Sequence, residues 1–202
     1  MRTTPTSHHP VPVRPLPRRL LLAAAILLTP LSGCGSSSEP APSAVAAASP
    51  SAAPATMTVT STAFKEGGTI PSEHTCTGAG TLPPIRWSGA GTGVKAIAVV
   101  VDDPDAPDDA YVHWIVTDLP PDTTTVDPEK LPATAKEAAN SGGGPGWTPP
   151  CPPGGVHHYR FTVHALDAPT GIAANAPAFA GREAIDRHTI AYGRLTGTVD
   201  GG

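Results

Sequence analysis

Apolar and polar positions alternate with period two along several short stretches of the chain, and one stretch carries a helical period. Residues 57–64 (MTVTSTAF) alternate and predict a first strand. A turn-rich stretch follows, with Gly67, Gly68, Pro71 and Gly78, and then a short strand at 85–87 (IRW) behind Pro83 and Pro84. Residues 95–102 (KAIAVVVD) are almost continuously apolar and predict a strand covered on both faces. Residues 111–119 (YVHWIVTDL) predict another, with His113, Ile115 and Thr117 on one face and Trp114 and Val116 on the other. Ala, Lys and Glu at 135–140 favour a short helix by propensity. Residues 157–166 predict a strand, 178–189 a helix, and 193–199 a last strand. Strands and helices do not alternate, which excludes a doubly wound α/β fold. The pattern predicts one mainly β domain with a helix near its C-terminus.

The N-terminal quarter follows a different pattern. Arg14, Arg18 and Arg19 precede an apolar run at 20–28 (LLLAAAILL), which is too short to span a bilayer as a helix. Leu31, Ser32, Gly33 and Cys34 come next. Positive charge, apolar run and small residues in this order describe a secretory signal, and the ending resembles the bacterial lipobox, in which the cysteine becomes a lipid-modified N-terminus. The other readings are a signal cleaved elsewhere, with Cys34 a free thiol, and an uncleaved anchor. Residues 35–56 are Ser, Ala and Pro with Glu39 as the one charge, too poor in apolar residues to build a core. The expected organisation is a lipoprotein signal over 1–33, a disordered tether over 34–56 and a domain over 57–202. It implies a protein exported and lipid-anchored to the outer face of the cell membrane.

The net charge of −4 offers no basic excess and excludes a nucleic-acid phosphate backbone as partner. The chain has three cysteines. With Cys34 lipidated, Cys76 and Cys151 remain in an oxidising compartment, where a disulfide is the natural pairing and two buried free thiols are the alternative.

The candidate chemistry lies at strand ends. Eleven of the fourteen residues from Gly142 to Gly155 are Gly or Pro, and this loop runs directly into His157, His158 and Tyr159. His157 and Tyr159 share a face of their strand; His158 and Arg160 share the other. Asp103 ends the apolar strand, beside Asp102, and His113 lies in the next. Imidazole, phenol and backbone N–H groups are donors suited to an oxyanion, and Asp103 would fix the tautomer of one imidazole. The same residues could make a two-His-one-carboxylate metal site, but no local spacing of ligands supports it. Each signal has a plain structural reading too: a histidine in a strand is commonly a packed one, and Asp103–Pro107 is by itself a turn.

Asp103-Pro104-Asp105-Ala106-Pro107, His113-Trp114 and Pro149-Pro150-Cys151-Pro152-Pro153-Gly154 followed by His157-His158-Tyr159 together resemble the phosphatidylethanolamine-binding protein family. Thr162-Val163-His164-Ala165-Leu166-Asp167 resembles its bacterial, Raf-kinase-inhibitor-like branch, as does Pro83-Pro84-Ile85-Arg86-Trp87. The resemblance runs from about residue 64 to the C-terminus. It implies a large central β-sheet packed on a smaller one, short peripheral helices, and a small cavity for phosphate-like anions. It places the ligand-binding residues at Asp103, Asp105, His113, Pro153, Gly154, His157 and Tyr159, with Pro152 beside them. His158 departs from the family's usual Arg, on the face turned away from the pocket. The resemblance implies a binding protein without a cofactor or catalytic residue, whose partners are a phosphate-like anion, a phospholipid head group or a phosphorylated protein. An inhibitor of an extracytoplasmic protease or other enzyme is the alternative. A hydrolase or lyase using His113 or His157 as base is the weaker one, since no serine stands in a nucleophile motif.

Overall fold

The computed structural model describes residues 54–107 and 109–202. The signal segment 1–33, the lipidation site Cys34 and the tether up to residue 53 lie outside them. No helix among the described residues is long and apolar enough to cross a membrane. The strands are β1 (Ala55–Thr56), β2 (Thr58–Ser61), β3 (Ile85–Ser88), β4 (Ala96–Asp103), β5 (Tyr111–Leu119), β6 (Lys136–Glu137), β7 (Val156–Leu166) and β8 (Thr189–Asp200), and the helix α1 is Ala178–His188. A single 3-10 turn covers Ser72–His74.

The main sheet has six strands in the order β1-β8-β7-β4-β5-β6, and β2 and β3 form a second, two-stranded sheet. Every neighbouring pair is antiparallel except β1 with β8, which is parallel. β4 sits at the centre and is buried along its whole length. Its odd residues Ile97, Val99 and Val101 face Val59, Ile85 and Trp87 of the small sheet, together with Trp114, Phe161 and Val163. Its even residues Ala96, Ala98 and Val100 face the other way and pack with Ile115, Leu166 and Ile185 of α1. The small alanines on that side let the helix lie close. The result is three layers: small sheet, large sheet, helix.

Two expectations are corrected. Residues 135–140 form no helix; Lys136 and Glu137 pair as β6 with Thr117 and Val116 of β5. Six residues cannot offset the cost of helix nucleation. Here Ala138 is fully buried beneath α1 and its N–H donates to Ile115 O at 3.2 Å, so tertiary burial outweighs a few tenths of a kcal/mol of propensity. The order of the domain also starts before residue 57. Ala55 and Thr56, read as tether, run alongside Ala191 and Tyr192.

Gly193 is where this entry segment crosses β8. A Cβ at that position would run into the carbonyl oxygen of Met57, whose own N–H donates to Tyr192 O at 2.8 Å. The obstacle is backbone, which cannot rotate away. Gly193→Ala is therefore expected to cost roughly 2–3 kcal/mol in a urea unfolding titration. An unchanged midpoint would show that the entry segment shifts freely.

Candidate functional site

Three strands deliver side chains to one end of the large sheet: Asp103 from β4, Tyr111 and His113 from β5, His157 and Tyr159 from β7. All five line one cavity of about 230 Å³. The placement of His113 there corrects the alternation expected for its strand. Val101 pairs with Trp114 but Asp102 pairs with Val112, so one extra residue bulges out of β5 at His113. Val112 and Ile115 consequently both pack on the helix side, while His113 turns to the same side as Trp114. Without the bulge the imidazole would point at α1. With it, the ring meets Tyr159 edge-on at 5.2 Å and Tyr111 at 4.8 Å between centroids.

The polar groups are fixed by hydrogen bonds from outside the cavity. His157 Nδ1–H donates to Asp103 Oδ2 at 2.7 Å, and both side chains are buried. Asp103 Oδ1 accepts the N–H of Asp105 at 2.8 Å, which holds the carboxylate in place. His113 Nδ1–H donates to the carbonyl of Thr148 at 2.8 Å. A carbonyl only accepts, so this bond fixes the tautomer, and Nε2 is the nitrogen left for a ligand in both rings. Burial pushes His113 below the usual imidazole value, against the Thr148 carbonyl and the negative Asp103, which raise it. Burial, with the charge of Asp103, pushes the Tyr159 phenol up, so it remains a donor throughout the physiological range.

The fourth wall is the proline loop. Cys76 and Cys151 form a disulfide, with Cα atoms 5.3 Å apart. The N–H of Cys76 donates to Pro150 O at 2.9 Å, and Trp147 Nε1 donates to Gly80 O at 2.8 Å. Asn140 Nδ2 reaches Gly146 O and Thr148 Oγ1, both at 3.0 Å. The loop is thus tied down ahead of its proline run and within it, and Pro149, Cys151, Pro152 and Pro153 line the cavity.

Of the expected ligand residues, Asp103, His113, Pro153, His157 and Tyr159 come together, while Asp105 and Gly154 do not line the cavity. Asp105 turns outward and accepts from the backbone N–H and Nδ1 of His158, at 2.8 and 2.7 Å. The hydrogen bonds from His158 lower its pKa. Gly154 lies past the bend, against the C-terminal Gly202. Where backbone N–H donors were expected, the loop presents mainly prolines to the cavity, and these have no N–H. Tyr111 and Thr148 were missed. Tyr111 could have been found, because it stands two residues before His113 on the same strand. Among the described residues no three His, Cys, Asp or Glu side chains are grouped so as to hold a metal ion.

The profile described as phosphatidylethanolamine-binding protein matches residues 60–200. An archaeal relative from Methanothermobacter thermautotrophicus, named UPF0098 protein, is 36% identical over 140 residues, covering 67% of this chain and 93% of its own. A Mycobacterium tuberculosis protein named as a candidate lipoprotein, LppC, is 39% identical over 143 residues, covering 70% of this chain and 71% of its own. Among solved structures, Escherichia coli YbcL, described as a new member of the mammalian family, superimposes with a TM-score of 0.67 at 31% identity, covering 71% of this chain and 98% of YbcL. The match takes in the end of β2, all of β3 to β8 and every residue that lines the cavity, and on this ground the chain belongs to the phosphatidylethanolamine-binding protein family.

Proposed function

We propose that this domain is the binding module of an exported, lipid-anchored protein, and that its cavity takes a phosphate-type anion, free or carried on a phospholipid head group or a phosphorylated partner. One observation carries the reading: two imidazoles and a phenol converge on one small cavity, each imidazole having its Nδ1 occupied from behind, so that Nε2–H of a charged ring and the phenol O–H form a donor set. The arrangement supports binding over catalysis. Cys151, the cysteine at the wall, is spent in the disulfide and offers no thiol nucleophile. The Leu31–Cys34 motif supports the anchor, and the lipoprotein name of the mycobacterial relative agrees with it.

Calorimetric titration with inorganic phosphate and phosphoethanolamine tests this directly, and its pH dependence follows from the tautomers. Neutral His113 donates to Thr148 and offers only a lone pair at Nε2; it must be protonated to bind an oxyanion. Burial holds its pKa below the usual imidazole value, so affinity rises as pH falls below about 6.5. Flat affinity from pH 7.5 to 5 would remove His113 from the binding set.

A further inference from the structure

On the opposite face of the large sheet, between α1 and the exposed side of β7 and β8, lies a groove of about 360 Å³. It shares no residue with the cavity described above. Three arginines line it, Arg160 from β7, Arg182 from α1 and Arg194 from β8, against two carboxylates, Asp102 and Asp186. Asp102 is buried at the floor. Its Oδ1 accepts from Arg160 Nε at 2.8 Å, and its Oδ2 accepts from Arg160 Nη2 at 2.6 Å and Arg182 Nη2 at 2.8 Å. Burial raises the Asp102 pKa, but these two guanidiniums outweigh it and the net shift is downward. A single carboxylate therefore holds two guanidiniums in place and neutralises one.

Arg194 adds a third positive charge. Its Nε donates to Thr162 Oγ1 at 3.0 Å, and it has no carboxylate partner among the described residues. Thr162 and Arg160 are two apart on β7 and share its groove face, so Arg194 stands on that face one step along from Arg160. A guanidinium carries five N–H donors. Arg160 spends two of its nitrogens on Asp102, and Arg182 and Arg194 spend one each. All three guanidiniums line the same groove. The field there registers on His164, which burial, aided by the charges of Arg194 and Arg182, pushes down to about 4. Tyr192 stacks on His164 at 6.2 Å and supplies a partly apolar side wall.

We infer that this groove is a second anion site, built for a phosphate monoester or diester by guanidinium forks that Asp102 holds in position. Pro54, the first described residue, also lines it. Such a phosphate comes either from a phospholipid head group or from a soluble ester, and the two sources are separable.

The test titrates the full chain, its His157→Ala variant and its Arg194→Ala variant with glycerol 3-phosphate. In parallel, each is sedimented with vesicles of phosphatidylcholine, with and without phosphatidylglycerol. The expected result is that His157→Ala retains one glycerol phosphate site, that adding Arg194→Ala weakens it at least tenfold, and that Arg182→Gln weakens it as well. Loss of phosphatidylglycerol-dependent sedimentation in Arg194→Ala identifies the lipid source; loss of soluble ester binding alone identifies the other. Arg194 is exposed, so its replacement should leave the melting temperature unchanged. If neither arginine substitution alters ester binding or sedimentation, the groove is no anion site. If His157→Ala changes nothing while Arg194→Ala removes all binding, the groove stands and the cavity reading fails.

Discussion

His157→Ala is expected to weaken phosphate and phosphoethanolamine binding by ten- to a hundredfold. Two effects add. The variant removes Nε2, which donates to a ligand when the ring is charged, and a hydrogen bond to a charged group contributes roughly 1.5–3 kcal/mol. It also leaves the Asp103 carboxylate, buried to 4% exposure, without its imidazole at the edge of the cavity. An uncompensated carboxylate repels the anion that the pair would attract. Asp103→Asn separates the two effects: its carbonyl oxygen can still accept from His157 Nδ1–H, at the expense of the bond from Asp105 N–H, and it contributes no charge. It should change the pH profile of binding more than the affinity at the low-pH end. His158→Ala is the control. That side chain points away from the cavity and pairs with Asp105 at an exposed site, where such pairs contribute under about 1 kcal/mol, so affinity should not move. Equal affinities for His157→Ala and the unaltered chain would show that the cavity does not hold the anion.

The second large effect concerns stability. Replacing both Cys76 and Cys151 by Ser is expected to cost about 4 kcal/mol, because the bond spans 75 positions and restricts the unfolded chain over all of them. For a domain of this size that corresponds to a fall in melting temperature of about 10 °C. Binding should suffer too. Cys151 stands at the cavity wall between prolines, and the Cys76 N–H to Pro150 O bond depends on the two segments meeting. A loss below about 1 kcal/mol in denaturant unfolding would mean that Trp147, through Gly80, holds the loop without help from the sulfurs.

Much of this architecture is legible in the sequence because burial follows local patterning. β5 has the boundaries its alternation predicts, and the continuous apolar run of β4 does mean cover on both faces, by a small sheet and a helix. The pairing of Cys76 with Cys151 follows from cysteine number. What escapes local reading depends on partners. Nothing in YVHWI marks a bulge: it holds no Gly or Pro, and the extra residue exists only relative to β4. Alternation alone puts His113 on the wrong face for that reason. Lys136 and Glu137 are helix formers drawn into an edge strand, where Glu137 Oε1 also accepts from Trp114 Nε1 at 2.7 Å. Asp105 looked equivalent to Asp103 in the Asp-Pro-Asp stretch, but the turn sends them in opposite directions. The arginine groove was invisible because Asp102 and Arg182 are 80 positions apart.

The two-residue strand β1 has a mechanical consequence. Any pull on the chain ahead of Pro54 enters the domain through the pairing of Ala55 and Thr56 with Ala191 and Tyr192, and next through the single bond from Met57 N–H to Tyr192 O. These few hydrogen bonds peel one after another under load, whereas β8 is held to β7 along eleven paired positions. Strain entering ahead of Pro54 is thus absorbed in a short sacrificial zipper. The cavity on the far side of the sheet is walled by β4, β5 and β7, none of which pairs with β1.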